Sequence, residues 1–155
     1  MPKLVITIGN IGSGKSTLAK KYQEKGYIVI ARDMLRYAIG GGNYIFDDKY
    51  ESIIWKTELY MLESFMELGV NIVVDEVGIS RSMRLRYIVP AKDYGYTIKC
   101  HILPKLTMKE AVDRRMKSPH GQPDRKLWNK VWQKFQRMYQ EPNLEEGIDK
   151  IIRDV

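Results

Sequence analysis

Gly9-Asn10-Ile11-Gly12-Ser13-Gly14-Lys15-Ser16-Thr17 is the stretch whose reading decides the fold. It fits G-x-x-x-x-G-K-[ST], with Gly9, Gly14, Lys15 and Ser16 at the fixed places. An apolar run, Leu4-Val5-Ile6-Thr7-Ile8, leads into it, and the helix-compatible run Leu18-Ala19-Lys20-Lys21-Tyr22 follows. That is the strand–loop–helix context the motif needs. Successive backbone N–H groups of such a loop point inward and cradle phosphate oxygens. The start of the next helix adds unpaired N–H groups and its positive dipole end. Gly12 and Gly14 can take positive φ and bring the main chain close to a ligand. Lys15 then reaches the β- and γ-phosphates, and the Ser16 hydroxyl binds Mg²⁺. A chance Gly-Lys-Ser in a turn is the bland alternative, and the flanking strand and helix argue against it. The expectation is a site for ATP as phosphate donor with Mg²⁺, built from Gly9 through Thr17.

Outward from this stretch, the chain reads as one domain, 1–155, of ordinary size. It is 44% hydrophobic and 29% charged, the balance of a soluble globular protein. No apolar run approaches the roughly 18 residues a membrane helix needs. Met1-Pro2-Lys3 runs straight into the first strand and leaves no room for a signal peptide. The single cysteine, Cys100, excludes an internal disulfide and reads as a buried thiol. A cytoplasmic protein with no membrane partner is expected, and a monomer, since no apolar heptad pattern is sustained. The net charge of +7 has two readings, a polyanionic partner or a Lys-rich solvated surface.

Strands are expected near 3–8, 27–30, 71–74, 97–103 and 150–152, from β-branched runs bounded by Gly, Pro or charged residues. Helices are expected near 15–25, 34–39, 48–68, 82–94, 107–116 and 124–139. Gly26, Gly69 and Gly95 stand where helix C-caps precede strands. This alternation predicts an α/β fold in three layers, with a central, mostly parallel five-stranded sheet and helices on both faces. The Ser118-Pro119-His120-Gly121-Gln122-Pro123 segment is flanked by Arg114, Arg115, Lys117, Arg125 and Lys126. It reads as a surface turn or as a flexible basic lid, about 114–126, over a triphosphate. Trp128, Trp132 and Phe135 are at helical spacing and read as core before they read as base-stacking groups.

The second strand ends in Ala31-Arg32-Asp33-Met34-Leu35-Arg36. Ligands of open parallel sheets bind at the carboxyl ends of strands. The first two strands are therefore expected to finish side by side at one rim. Phosphoryl transfer to an alcohol needs an in-line acceptor and a carboxylate to take its proton. Asp33 suits that role, although it also stands where a helix N-cap belongs. Arg36, three residues on, can hold an acceptor phosphate in its bidentate fork. The third strand ends in Asp75-Glu76. Asp75 is expected beside Ser16 in the metal shell, and Glu76 is expected to be exposed. Arg81, Arg84 and Arg86 line an anionic acceptor's path or face solvent.

Taken together, Gly9 to Thr17, Arg32-Asp33-Met34-Leu35-Arg36 and Asp75 resemble the 5′-kinase domain of phage-type polynucleotide kinases, a branch of the P-loop kinase superfamily. The likeness continues through Ala91-Lys92-Asp93-Tyr94-Gly95-Tyr96 into the Arg114 helix and covers nearly the whole chain. It implies Mg²⁺-dependent transfer of the ATP γ-phosphate to the 5′-hydroxyl of DNA or RNA. By matching positions, Lys15 bridges the donor phosphates, Ser16 and Asp75 serve the metal and Asp33 is the general base. Arg36 holds the acceptor's 3′-phosphate, with Arg32, Arg81 and Arg84 on the acceptor side, and Arg114 comes from the lid. Family members carry a further arginine where this chain has Ser118, and Arg115 or Lys117 is a substitute at the nucleotide. The chain has no Asp-x-Asp-x-Thr, so it is expected to add 5′-phosphates without removing 3′-phosphates.

Two alternatives stand beside this reading. A small-molecule kinase of the same fold would keep the loop, a base and an arginine without needing the basic charge. An ATPase switch would use Asp75-Glu76 to orient water.

Overall fold

The computed structural model describes residues 1–121 and 123–154. Gln122, inside the expected lid, and Val155 lie outside the described residues. The five apolar runs form the strands β1 (Lys3–Ile8), β2 (Ile28–Ile30), β3 (Ile72–Val74), β4 (Thr97–Ile102) and β5 (Lys150–Arg153). Between them lie α1 (Lys15–Glu24), α2 (Arg32–Ile39), α3 (Asp48–Glu67), α4 (Arg81–Asp93), α5 (Met108–Lys117) and α6 (Arg125–Met138). A 3₁₀ turn, Leu144–Glu146, precedes β5. Every strand pairing is parallel, and the order is β2-β3-β1-β4-β5. This is the three-layer α/β fold the alternation predicts, with the P-loop kinase architecture.

One expectation is corrected. β1 and β2 are not neighbours, because β3 is inserted between them. All three still finish at the same edge, so the loops after β1, β2 and β3 meet there.

Side-chain alternation along β1 builds the two faces. Leu4, Ile6 and Ile8 pack with Leu62, Met66, Tyr87 and Ile88 of α3 and α4. Val5 faces the other way, onto Ala19 and Tyr22 of α1. A third cluster sets Ile11 of the loop against Val112 of α5 and Trp128 of α6, with Trp132 and Phe135 beside them. The helical-spaced aromatics of α6 are therefore packing groups, and they clamp α5 and α6 behind the loop. Among the described residues no helix is long and apolar enough to cross a membrane.

Candidate active site

The loop after β1 has its motif geometry. Gly14 is the N-cap of α1 with φ 99°, a left-handed conformation that favours glycine. Gly12 has φ 69°, and a Cβ there would stand 2.2 Å from the Ala111 carbonyl of α5. So the absent side chain at Gly12 serves close packing on α5. The Gly9 amide donates to Val77 O at 3.2 Å, tying the loop to the segment after β3. Asn10 donates from its side chain to Trp132 O at 3.0 Å, and Ile11 is buried in the α5–α6 cluster. Asn10 and Ile11 can therefore offer a ligand only their main chain. Ser13 is buried with its hydroxyl unpartnered. The first-turn N–H groups of α1, from Lys15, Ser16 and the exposed Thr17, have no intrahelical acceptor and are open to an anion.

Lys15 is 9% exposed, and its Nζ donates to Asn10 O at 2.9 Å. Burial lowers its pKa to about 8; Asp75 opposes the shift and Arg115 adds to it. A phosphate beside it would restore the ammonium. Ser16 Oγ donates to Asp75 Oδ2 at 2.9 Å. Burial raises the Asp75 carboxyl, with the Ser16 bond and Lys15 opposing. A hydroxyl and a carboxylate side by side are hard oxygen donors, the set that suits Mg²⁺ when phosphate oxygens and water complete its octahedron. Behind the loop a largely apolar pocket, bordered by Ile11, Leu103, Leu106, Trp132 and Tyr139, offers a wall for a nucleobase.

Asp33 does not cap its helix. Ala31 is the N-cap of α2, with no side-chain cap bond, and Asp33 lies in the first turn. Its Oδ1 instead accepts from Arg36 Nη1 at 2.8 Å and from Tyr44 OH at 3.0 Å. Oδ2 is engaged by neither of these and faces His120 Nε2 at 3.4 Å. Burial disfavours the Asp33 charge, but His120, Arg36 and Tyr44 together outweigh it and hold the carboxyl below the usual range. The charge of Asp33 in turn acts on Lys15 and Asp75, favouring the proton on both. Arg36 is buried and binds Glu51 through Nε at 3.1 Å and Nη2 at 2.5 Å. With Asp33, that engages three of the five guanidinium N–H groups. Two N–H groups remain for an acceptor oxygen.

Several expected acceptor contacts are corrected. Arg32 does not reach into the mouth; its Nη2 pairs with Glu76 at 2.9 Å and its guanidinium lies 3.6 Å from the Trp55 ring centre. Glu76 is buried, not exposed, and also accepts from the Arg32 amide at 2.6 Å. This pair fixes the start of α2 to the end of β3. Arg84 is 0% exposed; it pairs with Glu146 at 2.8 Å and donates to Gly78 O at 2.9 Å. It holds α4 to the 3₁₀ turn and cannot line an acceptor path. Arg86 is partly buried, donating to Trp55 O and lying beside Glu58. Arg81 is exposed at the start of α4.

On α5 the three basic candidates differ in their surroundings. Arg114 and Lys117 are exposed on α5, whereas Arg115 is partly buried beside Trp128. Burial lowers the Arg115 pKa, and Asp33, Tyr44, Tyr37 and Asp75 oppose that. The Arg115 Nε is buried without a partner. Sequence reasoning offers Tyr37 and Tyr44 only as base-stacking groups and His120 only as part of a turn, and places none of the three at Asp33. His120 Nε2 stands 3.4 Å from Asp33 Oδ2, and Tyr37 OH is 2.8 Å from His120 Nδ1. Tyr44 stacks on His120 with ring centres 5.0 Å apart. His120 thus packs on α2 through an aromatic cluster around the carboxylate.

The family model described as AAA domain matches residues 4–142. A chain of the Pnkp1/Rnl/Hen1 complex superposes with TM-score 0.62 at 24% identity, covering 73% of this chain and 38% of that one. A gluconokinase from Sinorhizobium meliloti gives TM-score 0.59 at 18% identity, over 98% of this chain and 81% of that one. The Mycobacterium tuberculosis APS kinase CysC, solved with AMPPNP and APS, gives 0.60 at 19%, over 98% and 88%. The chain therefore spans well under half the length of the first of these and most of the other two. At these identities the likenesses establish the fold.

Proposed function

This chain belongs to the AAA domain family, and we propose that it is a polynucleotide 5′-hydroxyl kinase, transferring the γ-phosphate of ATP to the 5′-hydroxyl end of DNA or RNA. The observation that carries this is the paired use of Asp33. One carboxylate oxygen is locked by Arg36 and Tyr44, and the other, Oδ2, faces His120 Nε2 at 3.4 Å and is the oxygen we assign to the acceptor hydroxyl.

In this reading the phosphates lie along the loop N–H groups and Lys15. The acceptor hydroxyl approaches Asp33 Oδ2. Its oxygen bonds to the γ-phosphorus, the bond to the β–γ bridging oxygen breaks and ADP leaves; the hydroxyl proton passes to Oδ2. Lys15 and Arg115 stabilise the charge that develops on the transferred group. The two remaining N–H groups of Arg36 receive the acceptor's 3′-phosphate as a fork. Ser16 and Asp75 would hold Mg²⁺, which supplies charge neutralisation on the donor phosphates.

A second reading, a small-molecule kinase, draws on Arg32 and Arg84. Both are spent inside the protein and leave fewer cations at the mouth for a strand. The discriminating experiment incubates the protein with labelled ATP, Mg²⁺ and 5′-hydroxyl oligonucleotides beside nucleosides and sugars. Label on the oligonucleotides supports the proposal. Label on a nucleoside or sugar alone transfers it to the second reading, and phosphate release without any labelled acceptor makes the protein an ATPase.

A further inference from the structure

α6 carries Lys126, Lys130, Lys134 and Arg137, and Arg125–Met138 contains no acidic residue. At 3.6 residues per turn the four cations fall within an arc of about 80°, opposite the arc of Trp128, Trp132 and Phe135. The apolar arc is packed on Ile11 and Val112, so the cationic arc faces outward, and all four residues are exposed. None of the ion pairs among the described residues involves any of them. A merely solvated helix face ordinarily mixes both signs; this one has a single sign from end to end.

The helix is also fixed relative to the site. Its first residue follows the lid that bears His120, and Asn10 of the phosphate loop donates to Trp132 O in its middle at 3.0 Å. Just beyond its end Gln140 donates to Ile79 O at 2.7 Å and accepts from the Arg81 amide at 2.9 Å. The row therefore runs from the lid to the exposed Arg81.

We propose that the outer face of α6 is a track for the phosphate backbone of a single-stranded nucleic acid, an inference that rests on the polynucleotide reading of the site. From Lys126 to Arg137 the row is about 16 Å long at 1.5 Å per residue. At about 3.4 Å per stacked nucleotide that is about five phosphates. Contacts of this kind carry no base preference; they raise affinity in proportion to the phosphates neutralised.

The test is the variant Lys126→Gln, Lys130→Gln, Lys134→Gln, Arg137→Gln, whose four sites are exposed, with a thermal melt to establish that it is folded. Binding of a 3′-labelled single-stranded dodecamer is followed by anisotropy against salt, without ATP. Each lost phosphate contact lessens the slope of log K on log salt by about 0.7, so the variant should be shallower by about 2 to 3. In turnover, the variant should lose the wild type's preference for a dodecamer over a trinucleotide acceptor. Equal slopes and equal preference overturn the track while leaving the kinase reading in place. A wild type that binds the dodecamer through these residues but labels no oligonucleotide keeps the track and removes the kinase reading. Retention on phosphatidylserine vesicles with no binding to the strand overturns the track in favour of a membrane surface.

Discussion

The Nε2 nitrogen of His120 stands 3.4 Å from Oδ2 of Asp33, the carboxylate oxygen that neither Arg36 nor Tyr44 occupies. An incoming hydroxyl must therefore meet the carboxylate on the side that the lid imidazole faces.

Tyr44 sets which oxygen does the work. Its hydroxyl donates to Asp33 Oδ1 and helps lower that carboxyl. Tyr44→Phe removes one donor, so Asp33 becomes more basic and less well oriented. The acid limb of kcat/KM should move to higher pH, with kcat falling about three- to tenfold, the worth of one hydrogen bond. An unshifted limb contradicts the contact.

His120 lies below the ordinary histidine range because burial disfavours the imidazolium; Arg115, Arg36 and Lys15 add to this, and Asp33 opposes it. A group whose pKa is lower in the closed arrangement binds its proton more weakly there, so acid favours release of His120 from Asp33. NMR titration of His120 should give an apparent pKa below 6.5. Asp33→Asn should lower it further, since the one opposing charge is gone. A rise in that variant is incompatible with the geometry.

Arg115 and Arg114 are adjacent in sequence and differ by about 100° around α5. Arg115→Ala should lower kcat about 10²-fold, as loss of a donor aimed at developing charge does. Arg114→Ala should lower it little. Steady-state kinetics on both variants decide between them, and the reverse order would return the lid role to Arg114.

Glu58 is buried between Arg32, Arg86 and the Tyr87 hydroxyl, which donates to it at 3.0 Å. Burial first, and Glu76 beside it second, push its carboxyl up to about 9 from 4.5. The folded state then keeps a proton that the unfolded chain releases. The associated stability is present below the ordinary Glu range and is lost as pH rises through the window up to about 9. Glu58→Gln imitates the protonated form, so urea unfolding should show a flatter pH dependence than wild type across that window. A steeper dependence would mean that Glu58 is ionised.

The fold was legible because its signals are local. β-Branched runs, the phosphate-loop spacing and glycines after helices lie within a few residues of one another. Asp33 and Arg36 were legible together for the same reason, being three apart on one helix. Arg32, Arg84 and Tyr37 meet their partners 44, 62 and 83 residues away, at Glu76, Glu146 and His120. A single chain carries no sign of which distant carboxylate will bury a given arginine, so the internal ones read as surface cations. The inward turn of Arg115 did leave a trace. It follows the buried Ala111 and Val112 by four and three residues, on the packed face of α5. His120 left none beyond its place in a Pro- and Gly-bearing turn.

The most direct test of the account is the rate at which Asp33→Ala transfers label from ATP to a 5′-hydroxyl oligonucleotide, measured beside its affinity for ATP. Loss of general-base help should lower transfer by about 10²- to 10⁴-fold while ATP binding is retained. Transfer at the wild-type rate would contradict the role assigned to the carboxylate and, with it, the reading of the site.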